Sequence, residues 1–142
     1  MNIVPRNVAQ ESYLLKLLDP SKDIVFGVGP AGTGKTLIAV QVAIKMFKEK
    51  QVNKIVVTRP VVSVDEDLGF LPGTLEEKMA PWTIPIFDVF KLYFTTQDIR
   101  NMLYEGIIEI SPLAFMRGRT FHNCYIVADE MQNASTNQMK ML

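Results

Sequence analysis

The sequence predicts an α/β domain with a mainly parallel sheet and flanking helices, and three observations support this fold class. Short apolar runs rich in β-branched residues alternate with longer segments of helical periodicity. A glycine-rich loop joins the first run to a helix, and polar residues directly follow later runs. Because ligands of open parallel sheets bind at the carboxyl ends of the strands, we expect the residues after each strand to share one rim.

The size and composition indicate a single domain, covering residues 1–142. Hydrophobic residues make up 48% of the chain, and 15 basic residues balance 15 acidic ones. A net charge of zero excludes global attraction to nucleic acid or anionic membranes, so any polyanion must bind locally. The single Cys124 excludes an intrachain disulfide. Without a secretory leader or an apolar stretch of about 18 residues, we expect a cytoplasmic protein with no membrane partner.

Apolar periodicity and breaker residues define the predicted elements. Strands are predicted over residues 24–28, 54–58, 107–110 and 123–128, with loops at 61–73 and 112–120. Helices are predicted over residues 7–18, 35–50 and 74–105, and another begins at Ser135; the 74–105 segment is expected in two pieces, the first interrupted by Pro81 and Pro85 and the second capped by Thr95 or Thr96.

The loop after the first strand carries the most specific motif, a P-loop with four residues between its first glycine and Gly-Lys-Thr. Its members are Gly29, Pro30, Ala31, Gly32, Thr33, Gly34, Lys35 and Thr36. The glycines let successive backbone N–H groups and the helix dipole face a polyphosphate. Lys35 can then reach the β- and γ-phosphates, and the Thr36 hydroxyl can bind Mg²⁺. We therefore expect this loop to bind ATP with Mg²⁺.

A carboxylate pair follows the apolar run at residues 125–128. Asp129 is suited to hold Mg²⁺ through water, and Glu130 to orient and deprotonate an attacking water. Gln132, two residues further on, can reach the γ-phosphate or that water. In isolation, such a pair is more often a solvated strand end, but a P-loop upstream in the same domain favours the metal and water roles. The catalytic residues predicted here are Lys35, Glu130 and Gln132.

Five further side chains are candidates for the same rim. Arg59 follows a strand directly in Thr-Arg-Pro, with its ligand open. Arg117 and Arg119 can bind nucleic-acid phosphate or serve a neighbouring subunit as an arginine finger, with a solvated loop as the alternative. Gln10 and Tyr13 can hydrogen-bond to and stack on adenine, with a plain amphipathic helix as the equal alternative.

Two other groups of residues are better explained by structure than by chemistry. His122 is the only histidine and has no companion at ligand spacing. The aromatic residues of the 74–105 segment have spacings typical of a helix-packing stripe, not of a base-stacking platform. These are Trp82, Phe87, Phe90, Tyr93 and Phe94.

Four segments in this order resemble the PhoH family of ATPases, the phosphate-starvation-inducible type of bacteria and phages. They are GPAGTGKT, VVTRPVVSVDEDLGFLPG, EISPLAFMRGRTF and VADEMQNAS, and the match extends from about Asn7 to the last residue. The P-loop is common to a vast class, whereas the Thr-Arg-Pro, Leu-Gly-Phe-Leu-Pro-Gly and Pro-Leu-Ala-Phe-Met-Arg-Gly-Arg-Thr segments are specific to this family. The resemblance implies an ATPase core like the first domain of superfamily 1 helicases, RNA-directed in some relatives and often a ring-shaped homo-oligomer.

The sequence departs from the pattern of this family near residue 142. In ATPases of this class the next strand lies between the Asp-Glu strand and the P-loop strand and carries a polar γ-phosphate sensor. Residues 135–142 supply only the helix that leads into it, so we expect a domain incomplete at its C-terminal side. The neighbouring strands would then have unsatisfied ladder groups, unless the chain is a fragment or borrows a strand from elsewhere. Nucleotide binding can survive this loss better than turnover can.

Three functions of different classes follow. The first is an Mg²⁺-dependent ATPase that acts on RNA or single-stranded nucleic acid. The second is a nucleotide-binding module without efficient hydrolysis. The third is a small-molecule kinase, against which Glu130 and Gln132 argue.

Overall fold

The fold was established from a computed structural model, which describes residues 3–29, 34–60 and 75–140. Four of the predicted P-loop residues, Pro30, Ala31, Gly32 and Thr33, lie outside this part of the chain. The same is true of the predicted loop at residues 61–73. The two ends of the P-loop, and every strand end on the predicted rim, are described.

The described residues contain one parallel sheet of three strands. These are β1 (Lys54–Arg59), β2 (Ile108–Pro112) and β3 (Cys124–Ala128). Their spatial order is β2-β1-β3, and β1 pairs in parallel with both neighbours. The register brings Thr58 opposite both Ser111 and Ala128. The predicted parallel sheet is confirmed, and the strand ends do meet at one rim.

The helices largely follow the predicted bounds. They are α1 (Val8–Leu18), α2 (Lys35–Lys48), α3 (Leu75–Lys91), α4 (Thr96–Tyr104) and α5 (Thr136–Met139), with short 3₁₀ helices at Leu113–Met116 and Met131–Asn133. Asn7 caps α1 by accepting a hydrogen bond from the Gln10 N–H at 2.9 Å. Thr95 caps α4 in the same way through the Asp98 N–H at 3.1 Å, as predicted for one of the two threonines.

The two faces of the sheet pack against different elements. Side chains of α2, α3 and α4 form the main core against one face, where Ile55 and Val57 of β1 are fully buried. On the opposite face, Val56 packs against Leu113 and Met116. A smaller cluster joins α1 to α2. The main core therefore holds α2, and with it the second half of the P-loop, against the sheet.

The prolines of α3 do not interrupt it, which corrects the predicted break at Pro81 and Pro85. Each proline removes a helical hydrogen bond, and an interior proline costs about 3 kcal/mol. Both rings lie on the exposed side of the helix, while Trp82, Ile86 and Phe90 are buried on the other. Burying such a side chain contributes about 1.5–3 kcal/mol, so the packed stripe offsets the lost bonds. The predicted role of the aromatic residues in helix packing is confirmed.

The predicted buried strand at residues 24–28 is wrong. This segment forms no strand, and Ile24, Phe26 and Val28 are 74%, 78% and 93% exposed. In the described part of the chain, the sheet consists of β1, β2 and β3, and none of them pairs with residues 24–28. A β-rich run needs a hydrogen-bonding neighbour to bury its side chains. Without that neighbour the apolar pattern alone does not produce a strand.

Among the described residues, no helix is both long and apolar enough to cross a bilayer.

The sheet face opposite α2 carries an ion cluster centred on Glu109. Its carboxylate accepts hydrogen bonds from Lys54 at 3.0 Å, from Ser111 at 3.0 Å and from both Nη atoms of Arg119. The Arg119 guanidinium also lies 4.7 Å from the centre of the Phe121 ring. The bond from Arg119, ahead of those from Lys54 and Ser111, lowers the pKa of Glu109 to about 2.

This pKa makes the stability of the chain depend on pH. A carboxyl whose pKa is lower in the folded chain adds stability above its ordinary value of 4.5 and loses it as the pH falls towards about 2. We expect Glu109→Gln to lower the free energy of unfolding by about 1 kcal/mol at neutral pH, since the groups are partly exposed. The difference from the wild type should shrink at about pH 3. Urea denaturation at both pH values measures this.

Asp88→Asn, which removes an exposed carboxylate from α3, is the control. It should change stability by less than about 0.5 kcal/mol at either pH. An equal loss for Glu109→Gln at both pH values would show that the cluster does not act through its charge.

Candidate nucleotide-binding site

The first residues of α2 and the end of β3 meet at the rim of the sheet. The Thr36 hydroxyl donates a hydrogen bond of 2.7 Å to Oδ1 of Asp129, 93 positions along the chain. Thr36 lies in the first turn of α2, which packs against the sheet. The Asp129 N–H donates to the Thr58 carbonyl at 2.8 Å and so continues the ladder one residue past β3. Both side chains are therefore fixed by the core.

The P-loop glycine at the start of α2 adopts a backbone conformation that glycine favours. Gly34 caps the helix with φ of 81°, in the left-handed region. Its N-terminal position leaves the first N–H groups of α2 free of helical partners, which is the arrangement that binds phosphate. The Lys35 ammonium donates a hydrogen bond to the carbonyl of Gly29. The structure thus brings together the two described ends of the motif.

Helix α1 contributes two side chains to the neighbourhood of the loop. A Cβ added to Gly34 would lie 2.9 Å from Nε2 of Gln10, so this amide touches the start of α2. A Cβ added to Gly27 would lie 2.9 Å from the ring of Tyr13. Burial, together with the Asp129 carboxylate, raises the pKa of the Tyr13 phenol, which therefore stays neutral at physiological pH. Gln10 thus lies beside Gly34 and Tyr13 beside Gly27, and their contacts with adenine stay a prediction.

Glu130 follows in a strained backbone conformation. Its φ is 54°, in the left-handed region that residues other than glycine seldom adopt. The Gln132 amide donates a hydrogen bond to its Oε2, and the carboxylate remains about one-third exposed. Strain of this kind persists where the surroundings hold it and is concentrated at functional sites. Gln132 therefore orients Glu130 in this arrangement.

Arg59 connects the end of β1 to both carboxylates. One of its Nη atoms lies 3.3 Å from Oδ2 of Asp129 and 3.6 Å from Oε1 of Glu130. The guanidinium also stacks over Trp82 of α3, 5.3 Å from the ring centre. The predicted rim position of Arg59 is confirmed. Its contact with Trp82 was not predicted, because the spacing of Trp82 indicates only packing and nothing local marks a long-range stack.

The oxygen groups at this rim fit Mg²⁺. A hydroxyl and a carboxylate oxygen are already 2.7 Å apart at Thr36 and Asp129, and Mg²⁺ prefers hard oxygen ligands. In the part of the chain that the structure describes, no three His, Cys, Asp or Glu side chains group to form a metal cage. Mg²⁺ in nucleotide sites needs none, because phosphates and water supply its other ligands.

The remaining candidates lie apart from these contacts. Arg119 is engaged by Glu109 on the face of the sheet opposite α2, which favours a structural role over that of an arginine finger. Arg117 is exposed at the end of the 3₁₀ helix Leu113–Met116. His122 is exposed, and its carbonyl accepts a hydrogen bond from the Cys124 thiol at 3.1 Å.

The parallel α/β fold, together with a phosphate-loop sequence that leads into α2, defines a P-loop NTPase. A sequence profile of the PhoH-like protein family matches residues 2–142. The chain belongs to this family, whose members bind ATP.

Relatives from distant bacteria agree with this assignment. A PhoH-like protein of Mycobacterium tuberculosis is 45% identical over 139 residues, which cover 98% of this chain and 39% of the relative. A PhoH-like protein of Bacillus subtilis is 43% identical over 136 residues, covering 96% and 42%. Protein PhoH of Escherichia coli is 45% identical over 141 residues, covering 98% and 39%. The chain thus spans about two-fifths of the length of these relatives.

Proposed function

We propose that this chain binds ATP with Mg²⁺ and forms part of an ATPase that acts on RNA or single-stranded nucleic acid. The observation that carries the proposal is the 2.7 Å hydrogen bond between Thr36 and Asp129. It joins the threonine of the phosphate loop to the carboxylate that follows β3. A nucleotide-bound Mg²⁺ requires this pairing.

Each residue of the site has a role in this proposal. Backbone N–H groups of residues 29–36, all except Pro30, bind the triphosphate, and Lys35 turns from the Gly29 carbonyl towards the β- and γ-phosphates. Thr36 and Asp129 would hold Mg²⁺, which would supply positive charge against the phosphates. We assign Gln10 a contact with the base, and its position beside the start of α2 supports this assignment.

Glu130 supplies the chemistry that separates hydrolysis from binding. Its carboxylate is oriented by Gln132 and remains partly exposed, so a water molecule can reach it. A carboxylate in that position can orient the water and accept its proton. We therefore assign Glu130 as the general base and Gln132 as the residue that positions it.

The nucleic-acid part of the proposal rests on the family resemblance and on the exposed Arg117. Because the chain has no net charge, contact with a phosphate backbone must come from local cations such as this one. Assembly into a homo-oligomer, which the resemblance also implies, would place such an arginine near a neighbouring subunit. The single cysteine fits action in the reducing cytoplasm.

The test is phosphate release from ATP by the full chain in Mg²⁺, with and without single-stranded RNA. The proposal predicts release that RNA accelerates. ATP binding without release would select the second candidate, a nucleotide-binding module, which the exposure of residues 24–28 ahead of the P-loop favours. Loss of ATP without free phosphate would instead indicate a kinase.

A further inference from the structure

The backbone of Arg59 is fixed in the sheet, whereas its guanidinium makes only weak contacts. The residue ends β1, where Pro112 of β2 lies opposite it. Its Nη contacts with the carboxylates, at 3.3 and 3.6 Å, are longer than the 2.7–2.9 Å typical of charge-assisted hydrogen bonds. About one-third of the side chain is exposed. The guanidinium therefore neutralises the carboxylates without being tightly bound to them.

Two nitrogen atoms of the Arg59–Trp82 stack lack a hydrogen-bond partner among the described residues. Within the described residues, both the Arg59 Nε and the Trp82 Nε1 are buried without a hydrogen bond. Buried donors are nearly always satisfied in native proteins, so a pair of unsatisfied ones calls for an explanation. One explanation is that Arg59 changes position during function, because its position in this structure then needs to satisfy only some of its donors.

The two oxygens of the Asp129 carboxylate face different partners. Oδ1 of Asp129 accepts from Thr36, and Oδ2 faces Arg59. A divalent cation on Asp129 would come within a few ångströms of the guanidinium, where two positive charges repel each other. The guanidinium and the cation therefore compete for Asp129.

We propose that Arg59 competes with the divalent cation for Asp129, and that its release from Asp129 and Glu130 changes the contact with Trp82. This inference rests on the proposed nucleotide function and adds regulation to it. Arg59 is a positioning residue in this scheme, since it neutralises the site until the cation replaces it. Through Trp82, the release of Arg59 is transmitted to α3.

The first test measures the affinity for Mn²⁺, used as a paramagnetic substitute for Mg²⁺, from the signal of the free ion. The full chain and its Arg59→Gln and Arg59→Lys variants are compared. Loss of the competing charge should tighten Mn²⁺ binding about threefold to tenfold in Arg59→Gln, as expected for a partly exposed ion pair. Arg59→Lys keeps the charge and should stay within about twofold of the wild type. Arg100→Gln, which removes an exposed charge from α4, is the control and should change nothing.

The second test follows the emission of Trp82, the only tryptophan in the chain. Addition of ATP with Mg²⁺ should shift this emission in the wild type. The same addition should produce a much smaller shift in Arg59→Gln, where the stack is already lost. Equal shifts in both proteins would contradict the proposed release.

The proposal fails if Mn²⁺ binds Arg59→Gln no more tightly than the wild type, or if neither protein binds it. These failures are distinguishable from failure of the nucleotide function. The affinity for ATP in EDTA, measured on the same proteins, tests the P-loop without the cation. Intact ATP binding with unchanged Mn²⁺ affinity would remove the competition and leave the nucleotide site standing.

Discussion

Lys35→Ala is expected to weaken ATP binding by about 10- to 100-fold. The ammonium contacts the Gly29 carbonyl at the start of the motif, and Lys35 is the only residue of the P-loop sequence that can bring a full positive charge to the phosphates. A hydrogen bond to a charged group contributes about 1.5–3 kcal/mol, which corresponds to that loss of affinity. Calorimetric titration of the variant with ATP in Mg²⁺ measures the effect.

Lys45→Ala is a matched control on the same helix. Lys45 pairs with Glu49 in the last turn of α2, away from the loop, and such an exposed pair contributes little to stability. The affinity of Lys45→Ala for ATP should equal that of the wild type. If Lys35→Ala also bound ATP normally, residues 29–36 would not be the phosphate site.

Glu130→Gln is expected to leave ATP binding nearly unchanged and to slow phosphate release by about 10²- to 10⁴-fold. The amide has the shape of the carboxylate and can still accept the hydrogen bond from Gln132, but it cannot take a proton from water. The expected loss is the usual contribution of a general base. Phosphate release under saturating ATP, set beside the binding titration, separates the two effects.

The control for this variant is Glu105→Gln, an exposed carboxylate at the end of α4. It should hydrolyse ATP at the wild-type rate. Unchanged turnover in Glu130→Gln would show that another group activates the water, and the catalytic assignment of Glu130 would be withdrawn.

Local sequence signals predict those features that are determined by residues close to them in the sequence. The three paired strands, the Thr95 cap and the parallel arrangement follow from apolar runs and breaker residues. The P-loop motif places Lys35 and Thr36 at the start of α2, and the position of Asp129 after an apolar run places it on the same rim. In each case the information lies within a few residues of the feature it predicts.

The features that local signals miss depend on distant partners. Residues 24–28 have the composition of a strand, but a strand needs a neighbour, and its composition does not say whether one is present. The stack of Arg59 on Trp82 joins β1 to α3, and the pair formed by Glu109 and Arg119 joins β2 to the loop after it. No motif in the sequence marks these contacts.

The most direct test of the nucleotide site is a calorimetric titration of the wild-type chain with ATP, first in Mg²⁺ and then in EDTA. The hydrogen-bonded pair Thr36–Asp129 predicts binding of one ATP per chain that weakens when the cation is removed. No binding in Mg²⁺, or an affinity that does not respond to EDTA, would contradict the proposal that these two residues hold the nucleotide's metal ion.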